Sequence, residues 1–202
     1  MFLLSQNYIE WLAILAFAYS GIYKARQYHM DFIGTFSLAF ISSFGGGTIR
    51  DILLGNHPLQ WIENYYLIIF IFIFCLLIIK IPKKILESKH FNYSVDFVDS
   101  IGLGLFAISG FLTAYKLGIN IVPCIVMGII TSVFGGIIRD IICNEIPYVF
   151  KNEYLYATCA FIGCCFFAIS VIAFGISNIA IFLSIFIISF LRMFSLHKKI
   201  RL

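Results

Sequence analysis

The sequence predicts an all-α membrane protein: seven transmembrane helices, built as two inverted three-helix repeats plus a seventh helix. Three observations carry this prediction. Of the 202 residues, 61% are hydrophobic and only 12% charged, whereas soluble chains have about a quarter of their residues charged. Long apolar runs alternate with short polar connections, the pattern of a multi-spanning helical protein. Two stretches, SSFGGGTIRDILLGNHP (42–58) and TSVFGGIIRDIICNEIP (131–147), repeat one motif at a constant offset of 89 residues.

Crossing a bilayer takes about 20 apolar residues. Seven segments are predicted as spans: 8–23, 32–54, 66–81, 97–116, 119–142, 154–174 and 177–194. The third and seventh are short, and only GISN separates the last two. All seven belong to one transmembrane domain covering 1–202, with repeat one over 8–81, repeat two over 97–174 and helix seven over 177–194. The first run lacks a basic lead and a small-residue cleavage site, so it is expected to be a retained helix.

Lys and Arg in the connections set the orientation. One side collects Lys24, Arg26, Lys80, Lys83, Lys84, Lys89, Lys151, Arg192, Lys198, Lys199 and Arg201, and the other only Lys116. The N-terminus is therefore expected outside and the basic C-terminus in the cytoplasm. Trp11, Trp61, Tyr65 and Tyr66 fall near the outer span ends, as interfacial aromatics do.

The duplication extends past the motif. FAYSG (Phe17–Gly21) lies over FAISG (Phe106–Gly110), Ala25 over Ala114, Pro58 over Pro147 and Tyr65 over Tyr154, giving 15 identities across positions 16–65. Each repeat holds three spans. An odd number makes the second copy enter from the opposite side, related to the first by a pseudo-two-fold axis in the membrane plane.

Gly45, Gly46 and Gly47 lie about 20 Å along span 2 at helical rise. Each glycine costs about 1 kcal/mol in a helix interior relative to alanine. Together with Gly135 and Gly136 in span 5, they are expected to break or kink the two helices near the bilayer centre, where carbonyls turn toward a cavity. The competing reading is close helix approach through small residues. Ser20–Gly21 and Ser109–Gly110 are read in that second way. Arg50–Asp51 and Arg139–Asp140 follow one turn later. Charges inside a membrane face water or a partner. Adjacent helical residues point about 100° apart, so each Arg is expected to pair across to another helix or line a vestibule rather than pair with its neighbour. Anchoring or helix-locking ion pairs are the alternative. Asp96 and Asp99 are read as acidic residues at the start of span 4, suited to a helix N-terminus.

Several classes are excluded. Asp51 and Asp140 are predicted at different depths, which rules out an intramembrane aspartyl protease pair. His29, His57, His90 and His197 fall in predicted loops or the tail, without metal spacing. No nucleophile elbow or His-Glu-x-x-His motif occurs, so no enzyme, catalytic residue, metal or cofactor is expected. Cys75, Cys124, Cys143, Cys159, Cys164 and Cys165 lie in apolar runs and read as packing residues. No basic face suits nucleic acid.

GGGTIRDILLG followed by Pro and Trp, then GGIIRDIICNEIP, closely resembles the bacterial branch of the trimeric intracellular cation (TRIC) channel family, whose repeat unit is also described as a glycine-transporter domain. The resemblance covers about residues 8–195. It implies two inverted three-helix repeats plus one helix, a homotrimer, and a potassium-permeable path in each protomer bent at Gly45–Gly47 and Gly135–Gly136. One departure stands out: Phe134 occupies the first glycine position of the second motif, where a bulky ring is expected to stiffen the bend or plug the path. Three functions are weighed. The first is a monovalent cation channel. The second is a carrier of glycine or a similar small amino acid, held between exposed helix ends. The third is a seven-span sensor or scaffold without permeation. Apart from membrane lipid, the partners implied are a second and third copy of the chain and the permeant cation or amino acid.

Overall fold

The computed structural model describes the backbone of residues 2–80, 89–151 and 155–198, and side chains within 6–80, 93–151 and 155–198. Among these the chain is all-helical: α1 (Phe2–Gln27), α2 (Phe32–Leu54), the single turn α3 (Gln60–Glu63), α4 (Tyr66–Ile78), α5 (Lys89–Lys116), α6 (Ile121–Ile142), α7 (Ala157–Phe174) and α8 (Asn178–Lys198), with a 3-10 turn at Tyr148–Phe150. Five helices are long and apolar enough to cross a membrane: α2, α5 from Tyr93 onward, α6, α7 and α8. The expected third span, 66–81, is helical only over Tyr66–Ile78, with residue 81 outside the described residues. The sixth begins at Ala157 rather than 154, which also lies outside them. So do Lys83, Lys84, Lys199 and Arg201 and the side chains of Lys89 and His90.

The fourth helix begins at Lys89 rather than 97, which corrects one reading. Asp96 and Asp99 stand about two and three turns inside α5 and do not cap its start. His197 likewise stands in the last turn of α8 rather than in a tail.

Local chemistry sets the ends of α2 and α6 in the same way. α2 opens on Asp31, whose carboxylate accepts from Gly34 N at 2.7 Å, filling one orphan donor of the first turn. It closes on Gly55 at φ 64°, and α6 closes near Asn144 at φ 55°, residue types that tolerate the left-handed turn. Asn56 N then bonds Asp51 O at 2.8 Å, and Glu145 N bonds Asp140 O at 2.9 Å. Pro123 falls in the first turn of α6, where its missing N–H costs nothing.

At the centre α1 packs against α2 and α5, and α2 against α6; α5 also contacts α6 and α8, while α4 flanks α2 and α7 lies against α6 and α8. Phe17 and Phe106 meet edge-on there, with centroids 5.1 Å apart. These two residues are one repeat offset apart. Lipid tails are as apolar as leucine, so burial of apolar side chains contributes little to helix association in a membrane, and close backbone packing takes its place. Gly21 shows this: a Cβ there would sit 2.9 Å from Ala39 Cα. Outward-facing Phe174, Ile179, Phe182 and Phe186 are exposed and form a surface suited to lipid.

Connections sort to the two ends of the bundle. Lys24 and Tyr28, from the end of α1 and the turn after it, reach Glu145 beyond α6 at 2.7 and 2.5 Å. Arg26 donates to the Ile79 carbonyl at the end of α4. Those three connections share one end. Trp11 packs against Tyr8 and Tyr66 with centroids 5.8 and 5.7 Å apart, an aromatic cluster near the start of α1.

Candidate functional site

The motif glycines sit where α2 crosses α6. Both helices run through them unbroken, Phe32–Leu54 and Ile121–Ile142, so the expected break at Gly45–Gly47 and Gly135–Gly136 is absent. What the glycines provide is proximity. A Cβ on Gly46 would collide with the Thr131 carbonyl oxygen, and one on Gly135 with that of Ser42. Phe134 is half-buried.

One turn beyond the glycines of α2, Arg50 is 2% exposed. Its Nη1 reaches Glu10 Oε1 of α1 at 2.5 Å, and its Nη2 and Nε reach Asp51 Oδ1 at 2.7 and 2.9 Å. Asp51 Oδ2 also accepts from Gln60 N at 3.2 Å. The second cluster repeats the plan. Arg139 Nε bonds Asp140 Oδ1 at 3.0 Å, Asp140 Oδ2 accepts from Tyr148 N at 3.2 Å, and Arg139 Nη1 lies 3.5 Å from Asp99 Oδ1 of α5. Aspartate is one methylene shorter than glutamate. Ser20 of α1 fills the gap, accepting from Arg139 at 2.6 Å and donating to Asp99 at 3.2 Å.

The expectation that each Arg avoids its neighbouring Asp is therefore corrected. The long arginine side chain folds back along the helix and bonds that Asp as well as a carboxylate on the neighbouring helix. Asp51 and Asp140 do belong to separate clusters. Nothing in the sequence marks Glu10 and Asp99 as partners of the arginines, although they stand 89 residues apart, because identity passes over a Glu facing an Asp. Ser20, expected to serve close packing, instead bridges Arg139 and Asp99.

Two narrow hollows flank the crossing. One is lined in part by Phe44, Gly47, Asp51 and Trp61 and the other by Val133, Gly136, Asp140 and Tyr156. Neither admits a water molecule, and Phe134 lines neither. Beside the Arg139 cluster a larger cavity of about 300 Å³ is lined by Ser20, Lys24, Asp96, Asp99, Arg139 and Arg192, among others. Arg192, counted above with the basic tail, is corrected by this: it is 3% exposed, bonds Leu155 O at 3.0 Å and lies 4.6 Å from the Tyr156 ring centroid. Among the described residues no three His, Cys, Asp or Glu side chains gather as a metal site.

Outside the spans, Glu145 and Tyr28 perturb one another. Burial tends to raise the Glu145 carboxyl, but hydrogen bonds from Lys24 and Tyr28 outweigh it and hold the group below the usual range. The bond to Glu145, followed by burial, pushes Tyr28 up to about 12 from 10.0. A raised tyrosine stabilises the fold below pH 10 and loses that contribution as pH climbs toward 12. A lowered glutamate stabilises above its unfolded value, about 4.3, and loses that contribution on acidification. Melting temperature is expected to decline above pH 10, with Tyr28→Phe flattening that limb and Glu145→Gln flattening the acid one.

A family model described as "Glycine transporter" matches residues 7–81 and again 96–171. The chain belongs to this family. Within it, a UPF0126 membrane protein of Vibrio cholerae is 36% identical over 158 residues, 77% of this chain and 64% of that relative, so the chain spans just under two thirds of its length. The UPF0126 inner membrane protein YadS of Escherichia coli is 32% identical over 158 residues, 77% of this chain and 75% of YadS. Among solved structures, a TRIC cation channel aligns at TM-score 0.85 with 33% identity, over 97% of this glycine transporter family chain and 95% of the channel. A TRIC trimeric intracellular cation channel orthologue from Rhodobacter sphaeroides aligns at 0.85 with 29% identity, over 97% and 99%. Membership makes the protein a membrane transport protein rather than an enzyme.

Proposed function

We propose that the protein is a TRIC-like monovalent cation channel, permeable to potassium, working as a homotrimer in the bacterial inner membrane. The likeness to the TRIC cation channel over 97% of the chain carries this reading. The path runs inside each protomer along the α2–α6 crossing at Gly45–Gly47 and Gly135–Gly136. Arg50, Asp51, Arg139 and Asp140 hold its two ends. With neither hollow wide enough for water, this conformation is closed, and conduction requires the two helices to part. Phe134 stays a candidate plug: Phe134→Gly raising flux in liposomes supports that role, and unchanged flux removes it.

In this reading the single domain comprises α1, α2 and α4 (about 8–81), an inverted copy in α5, α6 and α7 (about 97–174), and α8 (about 177–194). The N-terminus lies outside and the C-terminus in the cytoplasm. The double family match and the pairing of Glu10 with Arg50 and Asp99 with Arg139, all at the 89-residue offset, support the duplication. Asn56 and Asn144, both exposed, then face opposite sides. A cysteine at Asn56 is expected to react with an impermeant maleimide in intact cells and one at Asn144 only after permeabilisation; labelling on one side together overturns the inversion.

The family's description as a glycine transporter favours a second reading, a carrier of glycine or a similar small amino acid. Purified protein in a planar bilayer separates the two. Unitary currents under potassium or sodium gradients support the channel, whereas saturable, counterflow-competent uptake of labelled glycine without unitary current supports the carrier.

A further inference from the structure

Arg192 has no counterpart in the first half of the chain, because α8 stands outside the repeat. Its environment is unusual. Nη1 is used by the Leu155 carbonyl, Nε is buried without a partner, and no carboxylate lies within ion-pairing distance among the described residues. A buried charge without a counter-ion is strongly destabilising, and an intramembrane ionisable residue marks a site whose partner must be named. The Nε–Nη2 edge left over is the one that grips a carboxylate with two parallel hydrogen bonds.

The cavity is also lined by Asp96 and Asp99, one helical turn apart on α5; Asp99 Oδ1 already accepts from Ser20 and faces Arg139, which leaves the exposed Asp96 as the available carboxylate. The other cations there are engaged: Lys24 with Glu145 at 2.7 Å and Arg139 with Asp140 at 3.0 Å. A free anion reaching Arg192 meets two aspartates, and a free cation reaching the aspartates meets Arg192 and Lys24. A molecule carrying both charges satisfies both. The space of about 300 Å³ is at the small end of ligand sites and equals about ten waters.

We infer that this cavity is a binding site for a small zwitterion of the α-amino acid class, its carboxylate on the Arg192 edge and its ammonium on Asp96. A turn of the guanidinium against the Tyr156 ring brings that edge to the ligand. The site sharpens the carrier reading without depending on it, because binding is measurable in detergent whether or not anything permeates.

Calorimetry on the detergent-purified full chain tests this with glycine, acetate and methylammonium. Glycine is expected to bind saturably, with acetate and methylammonium at least about ten-fold weaker, the loss of one charge-assisted pair. Arg192→Gln is expected to weaken glycine binding by about ten-fold or more. Asp96→Asn is expected to do the same at unchanged melting temperature, since Asp96 is exposed, and so keeps the test valid should Arg192→Gln misfold. The inference is overturned by acetate or methylammonium binding as well as glycine, by no saturable heat up to on the order of 10 mM glycine, or by an Asp96→Asn variant that binds as the parent does.

Discussion

Gly46→Ala is expected to lower the melting temperature of the detergent-purified protein by about 10 °C, while Gly47→Ala changes it by less than about 2 °C. The difference lies in what each new methyl meets. At Gly46 it lands on the Thr131 carbonyl oxygen of the facing helix, a backbone atom that moves only if the helices separate. At Gly45 it meets the Ile138 Cδ1 tip at 3.2 Å, a flexible end that gives way, and at Gly47 nothing closer than 3.8 Å. Overpacking of the first kind costs about 1–3 kcal/mol or more, and each kcal/mol shifts melting by about 2–4 °C in a chain of this size. Gly135→Ala should match Gly46→Ala, because it strikes the Ser42 carbonyl across the same contact. Equal losses at 45, 46 and 47 would show that the glycines serve something other than the crossing.

The second large effect is expected at Arg50. Arg50→Gln should destabilise the fold by about 3–5 kcal/mol, because it leaves Glu10 and Asp51 buried as unopposed negative charges. Their side chains are 5% and 1% exposed, so neither has water to turn to. Neutralising all three together, as Arg50→Gln with Glu10→Gln and Asp51→Asn, should restore much of the loss, since the cost lies in the unpaired charges rather than in the missing pair. Lys24→Gln, at the partly exposed Lys24–Glu145 pair, sets the scale for an ordinary ion pair at about 0–1 kcal/mol. Unfolding in mixed detergent measures all of these. An Arg50→Gln protein as stable as the parent would remove the cluster's structural role.

Apolar runs and doubled motifs made the helical architecture and its 89-residue offset legible, because period, length and identity are written along the chain. Contacts between helices are not. The glycines at 45–47 suggested a break, since three helix-weakening residues in a row look like one; only the position of Thr131 and Ser42 across the gap shows that they serve approach. Arg50 and Asp51 looked divergent because helical geometry gives the direction of Cβ and not the reach of a guanidinium. Glu10 and Ser20 were invisible as ligands of the arginines because they lie 40 and 119 residues from their partners. The start of α5 was misjudged because its first turns are polar, and hydropathy marks where lipid begins rather than where a helix does.

Four hydroxyls at the crossing add one consequence. Ser42 and Ser43 donate to Leu38 O and Ala39 O, both at 2.7 Å, and Thr131 and Ser132 donate to Met127 O and Ile129 O at 2.6 and 2.9 Å. A hydroxyl has one proton and two lone pairs, and each proton here is already committed to its own helix. These four hydroxyls thus have only oxygen lone pairs left to offer a further partner. If the protein conducts as proposed, these lone pairs replace part of the water around an alkali ion, so that side chains without charge share in favouring positive ions.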